Sequence, residues 1–141
     1  ILDFHTREII SYNVSQSPNF EQTKDMVHKA FNQYADLKEL IIHSDQGWQY
    51  QMVHYHKLLT DKGINQSMSR KGNCLDNAPM ENFFGVMKKE MFIGKEYSFN
   101  SLEELELEIH EYIEYYNNKR ISLKLKGLTP VQYRNQSYSL I

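Results

Sequence analysis

Hydrophobic positions in this chain alternate at first, then fall into helical spacing, then gather into short apolar runs. Residues 1–4 and 9–14 carry the period of extended strands on either side of the polar turn His5-Thr6-Arg7-Glu8. Ser17-Pro18-Asn19 stops that pattern. Asn19 is placed to cap a helix, with Gln22 as its reciprocal cap, and Met26, Val27, Ala30, Phe31 and Tyr34 share one face of it. Leu40-Ile41-Ile42 predicts a short buried strand that ends at His43-Ser44-Asp45 and is broken by Gln46-Gly47. A helix over 52–61 follows, with Leu58 and Leu59 inward and Gly63 past its end. Residues 64–69 predict another strand, and 70–77, rich in Gly, Asn and Asp, a loop.

The second half is helical. Pro79 suits a first helical turn, and Met80, Phe83, Met87 and Met91 form the apolar stripe of a helix running to about Phe92. Ser101 with Glu104 reads as a capping box. Leu102, Leu105, Ile109, Tyr112, Ile113 and Tyr116 then mark one face of a long helix. Thr129-Pro130 starts a last short one. Strands alternating with helices after an initial strand pair predict an α/β fold with a mixed sheet.

Composition adds limits. The chain has 141 residues, the size of one domain, and is 40% hydrophobic and 24% charged, which excludes a disordered chain. No apolar run approaches the roughly 20 residues that span a bilayer. A single cysteine, Cys74, excludes an internal disulfide and fits a reducing cytoplasm; without a nearby His or Cys it reads as a loop residue with no redox role. The net charge of −2 argues against a nucleic-acid partner, but its distribution reverses the argument. Residues 96–114 hold seven Glu and no Lys or Arg, whereas residues 115–141 hold five basic side chains and no acid. A basic surface can therefore sit on a near-neutral protein; a solvated acidic helix followed by a basic loop is the plainer alternative. The chain opens on Ile-Leu-Asp-Phe, with no Met, inside a strand pattern, and is expected to continue upstream.

Two carboxylates carry the candidate chemistry. Asp45 stands at a strand end, where catalytic side chains often sit. Glu81 lies in the first turn of the following helix, and Lys88, seven positions on, shares its face. Gly85 between them leaves room for a backbone or a phosphate. Carboxylates bind Mg²⁺ through oxygen, and a Lys meets phosphate as a point charge. Turn, cap and solvated-surface roles account for the same residues taken singly.

Four ordered motifs resemble insertion-sequence transposases with a retroviral-integrase-like catalytic core. They are His43-Ser44-Asp45-Gln46-Gly47-Trp48-Gln49-Tyr50; the run from Gly72 to Phe84 that contains Asp76-Asn77-Ala78-Pro79-Met80-Glu81; Met87-Lys88-Lys89-Glu90; and Tyr116-Asn117-Asn118-Lys119-Arg120 followed by Leu128-Thr129-Pro130-Val131-Gln132-Tyr133-Arg134. The resemblance implies an RNase H-like mixed sheet flanked by helices, without its first, central strand. Residues 1–95 would carry the core and its motifs, and 96–141 the C-terminal helices and basic tail. It implies Mg²⁺ (or Mn²⁺)-dependent DNA cleavage and strand transfer by the longer protein, and none by these residues alone. Asp45 and Glu81 would be the second and third members of a D-D-E triad and would hold the metal. Lys88, Lys89, Arg70, Lys71, Lys119 and Arg120 would meet DNA, with His43, Asn73 and Asn77 in support.

Partners implied are transposon-end and target DNA in a bacterial-type cytoplasm, and a second copy of the chain, because a missing central strand leaves open sheet edges. The chain departs from the pattern at the first aspartate. Asp3 is the only Asp before position 25, and it matches a position outside the triad. A non-catalytic DNA-binding or assembly remnant, and a purely hydrolytic RNase H-like nuclease, are the alternatives. Trp48 replaces a small polar residue; it is expected to pack on the following helix, with stacking on a base as the other option.

Overall fold

A computed structural model of the chain describes residues 1–139. Its elements in order are α1 (Phe20–Phe31), β1 (Ile41–Ser44), α2 (Val53–Thr60), β2 (Asn65–Met68), α3 (Ala78–Met87), α4 (Leu102–Asn118) and α5 (Pro130–Ser139). They fall into two compact units, one made of Ile1 and Ser11–Ala78, the other of Leu2–Ile10 and the residues from Pro79 onward.

The first unit is a βαβ arrangement with α1 ahead of it. β1 and β2 pair in parallel, Ile41 against Asn65 through Ser44 against Met68, and α2 makes the crossover that a parallel pair requires. Its core is Val27, Ala30 and Phe31 of α1, Tyr55 and Leu59 of α2, and Ile64. Asn19 caps α1 as expected, accepting from the Gln22 N–H at 2.9 Å. Gln22 does not return the bond: its amide donates to the Ser17 carbonyl at 2.8 Å and to the Ser15 hydroxyl, so it closes the preceding turn instead. The expectation that β1 is buried is corrected. Ile41 is 65% and Leu40 45% exposed, because only two strands pair among the described residues and nothing there covers the Ile41 face.

The second unit is helical. Phe83, Met91, Tyr112, Ile113, Tyr116 and Leu125 form its core together with Ile9. The capping box at α4 is half formed: the Ser101 hydroxyl accepts from the Glu104 N–H at 3.1 Å, but the Glu104 carboxylate reaches the Asn100 N–H, at 2.8 Å, instead of that of Ser101. A complete box opens α5, with Thr129 accepting from the Gln132 N–H at 3.2 Å and Gln132 from the Thr129 N–H at 3.0 Å. The helix expected to run to Phe92 changes character: after α3 the chain makes a π turn over Lys88–Phe92, with the Ile93 N–H on the Lys88 carbonyl at 2.7 Å.

The two N-terminal strands are reduced to one antiparallel bridge, Leu2 to Ile9. Asp3 explains the tight turn: its Oδ1 accepts from the His5 and Thr6 N–H groups and from the Thr6 hydroxyl. Beyond the bridge a side chain replaces the ladder. The Ile9 N–H donates to Asn117 Oδ1 and the Ile9 carbonyl accepts from Asn117 Nδ2, both at 2.9 Å. One carboxamide thus satisfies both backbone groups of a buried residue, as a strand would. Asn117→Ala leaves both groups unpaired, at about 1–3 kcal/mol each. We expect a loss of about 2 kcal/mol in urea unfolding; a variant as stable as wild type would show that water replaces the clamp.

Candidate catalytic residues and DNA-facing side chains

In the first unit, β1 delivers Asp45 to its exposed end. Asp45 Oδ1 accepts from the Gly47 N–H at 2.8 Å. Its other oxygen has no partner among the described residues. The backbone turns back at once, since the Tyr50 N–H meets the Gly47 carbonyl at 3.0 Å. A Cβ at Gly47 would stand 3.0 Å from Asp45 Oδ1 and from Gln49 Oε1, so the glycine is what permits the carboxylate its present pose. Gly47→Ala is therefore expected to disturb the carboxylate far more than the fold. A loss of about tenfold or more in metal-dependent activity of the full-length protein, with stability changed by less than about 0.5 kcal/mol, is the expected pair of readings. Unchanged activity would mean the carboxylate tolerates the shift.

Amide and imidazole side chains tie this loop to β2. His43 Nδ1 lies 2.9 Å from the Ser67 hydroxyl and Nε2 3.1 Å from that of Ser69. Gln46 donates to the Ser69 carbonyl at 3.0 Å, and Gln66 to the Tyr50 carbonyl at 2.7 Å. His43 is thus placed as a cross-strand brace two residues before Asp45. Trp48 departs from its expected packing: the residue is 53% exposed and has no aromatic partner among the described residues, while α2 meets the short 3₁₀ turn Trp48–Gln51 through Tyr50, whose ring packs edge-on against Tyr55.

The following loop is braced by an ion pair. Arg70 forks onto Asp76, Nε to Oδ2 at 3.0 Å and a terminal nitrogen to Oδ1 at 2.9 Å, and its N–H adds a third bond to Oδ2. Those charge-assisted bonds from Arg70 hold the Asp76 carboxyl down at about 2. Asn73 accepts from the Leu75 N–H at 3.2 Å and caps the short turn Cys74–Asn77. Lys71 is exposed, and Asn77 is half-buried.

In the second unit, Glu81 lies in the first turn of α3, exposed and without a hydrogen-bond or ion-pair partner among the described residues. Lys88 and Lys89 are exposed at the start of the π turn, and Lys119 is exposed at the end of α4. Arg120 is engaged: its Nε donates to both Glu90 oxygens, at 2.6 and 2.8 Å, and the Tyr112 hydroxyl joins at 3.2 Å. Burial, then the Glu90 charge, pushes the Tyr112 hydroxyl up, so it stays a donor. Arg134 is engaged too, with both oxygens of Glu8 at 2.6 and 2.8 Å. Sequence reasoning missed these partners, which lie 30 and 126 positions away. A groove of about 680 Å³ in this unit is lined by Glu90, Glu104 and Glu108 with Phe99, Tyr112 and Tyr115, and its charge is wrong for phosphate.

Sequence patterns of the integrase core domain family match residues 1–74 and, in a second model for the same domain, residues 81–138. The chain belongs to the integrase core domain family. This integrase core is 51% identical over 138 residues to InsK of insertion sequence element IS150 from Escherichia coli K12, across 98% of the chain and 48% of that protein. It is 55% identical over 137 residues to an uncharacterized transposase-like protein of Haemophilus influenzae, across 97% of the chain and 62% of that protein. A transposase for insertion sequence element IS904 from Lactococcus lactis is 35% identical over 133 residues, which is 94% of the chain and 52% of that protein. The chain spans about half the length of the curated relatives it matches. Among solved structures, the catalytic core domain of BIV integrase has the same fold, with a TM-score of 0.66 at 17% identity, over 90% of the chain and 78% of that domain.

The metal implied for an integrase core is hard and prefers oxygen donors. Asp45 and Glu81 fit that chemistry: each is an exposed carboxylate with no cation bound to it among the described residues. No group of three or more His, Cys, Asp or Glu gathers as a metal site among those residues.

Proposed function

We propose that this chain is the catalytic core of a DNA transposase, a D-D-E polynucleotidyl transferase that cleaves DNA and joins the freed 3′ ends to a target. The observation that carries the reading is the integrase core match on both sides of residues 75–80, together with Asp45 and Glu81 standing exposed and uncommitted on the matched segments. Asp45 and Glu81 are the second and third carboxylates, and hold Mg²⁺ or Mn²⁺. Bound there, a metal pair supplies Lewis-acid stabilisation to the attacking and leaving oxygens of an in-line displacement.

Lys88, Lys89, Lys71 and Lys119 take the DNA phosphates. Arg70 and Arg120 support them from their fixed ion pairs, and a fork on a carboxylate leaves less of a guanidinium for phosphate. Asn73 and Asn77 shape the loop before Glu81, and His43 braces β1 against β2. The reading assigns the first carboxylate to sequence other than residues 1–141, so these residues alone are expected to be inactive. The open edges of the β1–β2 pair support a homo-oligomer as the working form. The reaction belongs in the cytoplasm, where bacterial DNA lies; no helix among the described residues is long and apolar enough to cross a membrane.

The test is a product assay. Full-length protein, Mg²⁺ and a labelled element end should give joined strands. Cleaved but never joined strands would replace the transferase with a nuclease. No cleavage at all by the full-length protein would leave a DNA-binding remnant.

A further inference from the structure

Trp48 is the chain's only tryptophan, and it lies three residues beyond Asp45. The residue is 53% exposed, while the aromatic rings that follow are paired: Tyr50 meets Tyr55 edge-on at 5.4 Å. Tryptophan is enriched where proteins meet their ligands, and a half-exposed one beside a candidate catalytic carboxylate is available to a ligand. Its backbone is not loose. The turn that carries it is pinned at Gly47 by Asp45 Oδ1 at 2.8 Å, closed by the Tyr50 N–H at 3.0 Å, and tied to β2 by Gln66 on the Tyr50 carbonyl at 2.7 Å. Gln51 adds a bond to the Gln46 carbonyl. The backbone that presents the ring is therefore fixed before any ligand arrives, which lowers the entropy lost on contact.

The geometry points to Trp48 as a stacking platform for an unpaired nucleobase of the DNA, next to the phosphate that Asp45 addresses. This rests on the transposase reading. Three residues extend at most about 10 Å, so ring and carboxylate serve adjoining groups of one strand. The chemistry selects the base rather than the backbone. An indole face carries no charge to meet a phosphate, and the neighbouring carboxylate repels one. Bases in a duplex already stack on each other, so the ring needs a frayed end or an extruded base. Stacking is tolerant of sequence, since every base offers a π face.

The experiment uses the 141-residue chain, whose tryptophan emission reports Trp48 alone. A 5′-labelled oligothymidylate of about 12 nucleotides and a duplex of the same length serve as probes. Anisotropy of the label reports binding, and tryptophan emission reports stacking. The expected result is emission quenched by about half at saturation with the single strand, and clearly less with the duplex. Trp48→Phe should bind the single strand within about twofold of wild type, and Trp48→Ala about fivefold or more weakly. The ring is exposed, so the alanine variant should keep its circular dichroism. Raised anisotropy with unchanged emission, or equal affinity of Trp48→Ala, overturns the stacking and leaves DNA binding standing. Equal quenching by duplex overturns the need for an unpaired base. No rise in anisotropy with either probe overturns both the stacking and the DNA-binding reading beneath it.

Discussion

Asp45→Asn in the full-length protein is expected to lower the rate of strand joining by on the order of 10³, with the fold intact. The local structure makes this a clean substitution. Asp45 Oδ1 accepts the Gly47 N–H, and an asparagine carbonyl can accept the same bond, so the turn before Trp48 survives. What disappears is one negative oxygen that has no other partner. Losing an anionic metal ligand forfeits several kcal/mol of transition-state stabilisation, and each 1.36 kcal/mol is tenfold in rate. Glu81→Gln should match it, since Glu81 is exposed and unpaired as well. Stability should stay within about 0.5 kcal/mol for both. Wild-type joining by either variant would remove that carboxylate from the reaction. A large drop in melting temperature would instead give it a structural role.

Arg134→Ala is expected to destabilise the second unit strongly, and in a pH-dependent way. The Glu8 side chain is 9% exposed and Arg134 30%. Removing the arginine leaves a buried carboxylate without its counter-charge. Breaking buried pairs costs 3–5 kcal/mol, and partial exposure of the arginine reduces this to about 2 kcal/mol at neutral pH. The pH dependence has a definite sign. Burial raises the Glu8 carboxyl above its ordinary value, with Arg134 acting in the opposite direction. A raised carboxyl holds its proton longer when folded than when unfolded. Its contribution is therefore full below the ordinary carboxyl range and is lost as pH rises through the folded value. Without Arg134 that rise is larger, so the variant should lose more at pH 7 than at pH 4. Adding Glu8→Gln to Arg134→Ala should recover most of the loss at pH 7. Equal losses at both pH values would show that the pair matters for packing and not for charge.

Local signals in the sequence served well wherever the responsible atoms are close along the chain. The Asn19, Ser101 and Thr129 caps, the strand run before Asp45 and the stripe ending at Tyr116 all depend on residues within a turn or two. The Gly63 bend, at φ +73°, belongs with them. What escaped is non-local or depends on what covers a surface. Periodicity gave residues 9–14 a strand, but Asn117 claims Ile9's hydrogen bonds from more than a hundred positions away. The apolar run at Leu40 and Ile41 looked buried, although its burial needs neighbours that the described residues lack. The basic tail looked like five free cations; two of them are held by Glu90 and Glu8, and no charge count reveals a pairing. The stripe Met80, Phe83, Met87, Met91 is fully buried only at Phe83 and Met91; Met80 and Met87 are half-buried.

The Asn117 clamp and the Glu8–Arg134 pair also set a timetable for the nascent chain. The hairpin of residues 2–9 leaves the ribosome well before its partners, which are made 108 and 126 residues later. At about 5–20 residues per second, Glu8 waits roughly 6–25 s for Arg134. Through that interval the hairpin has no native home, while the first unit between its two halves can already close. A message that ends or shifts frame between Ala78 and Arg134 would release a protein whose first unit is made and whose second can never be finished.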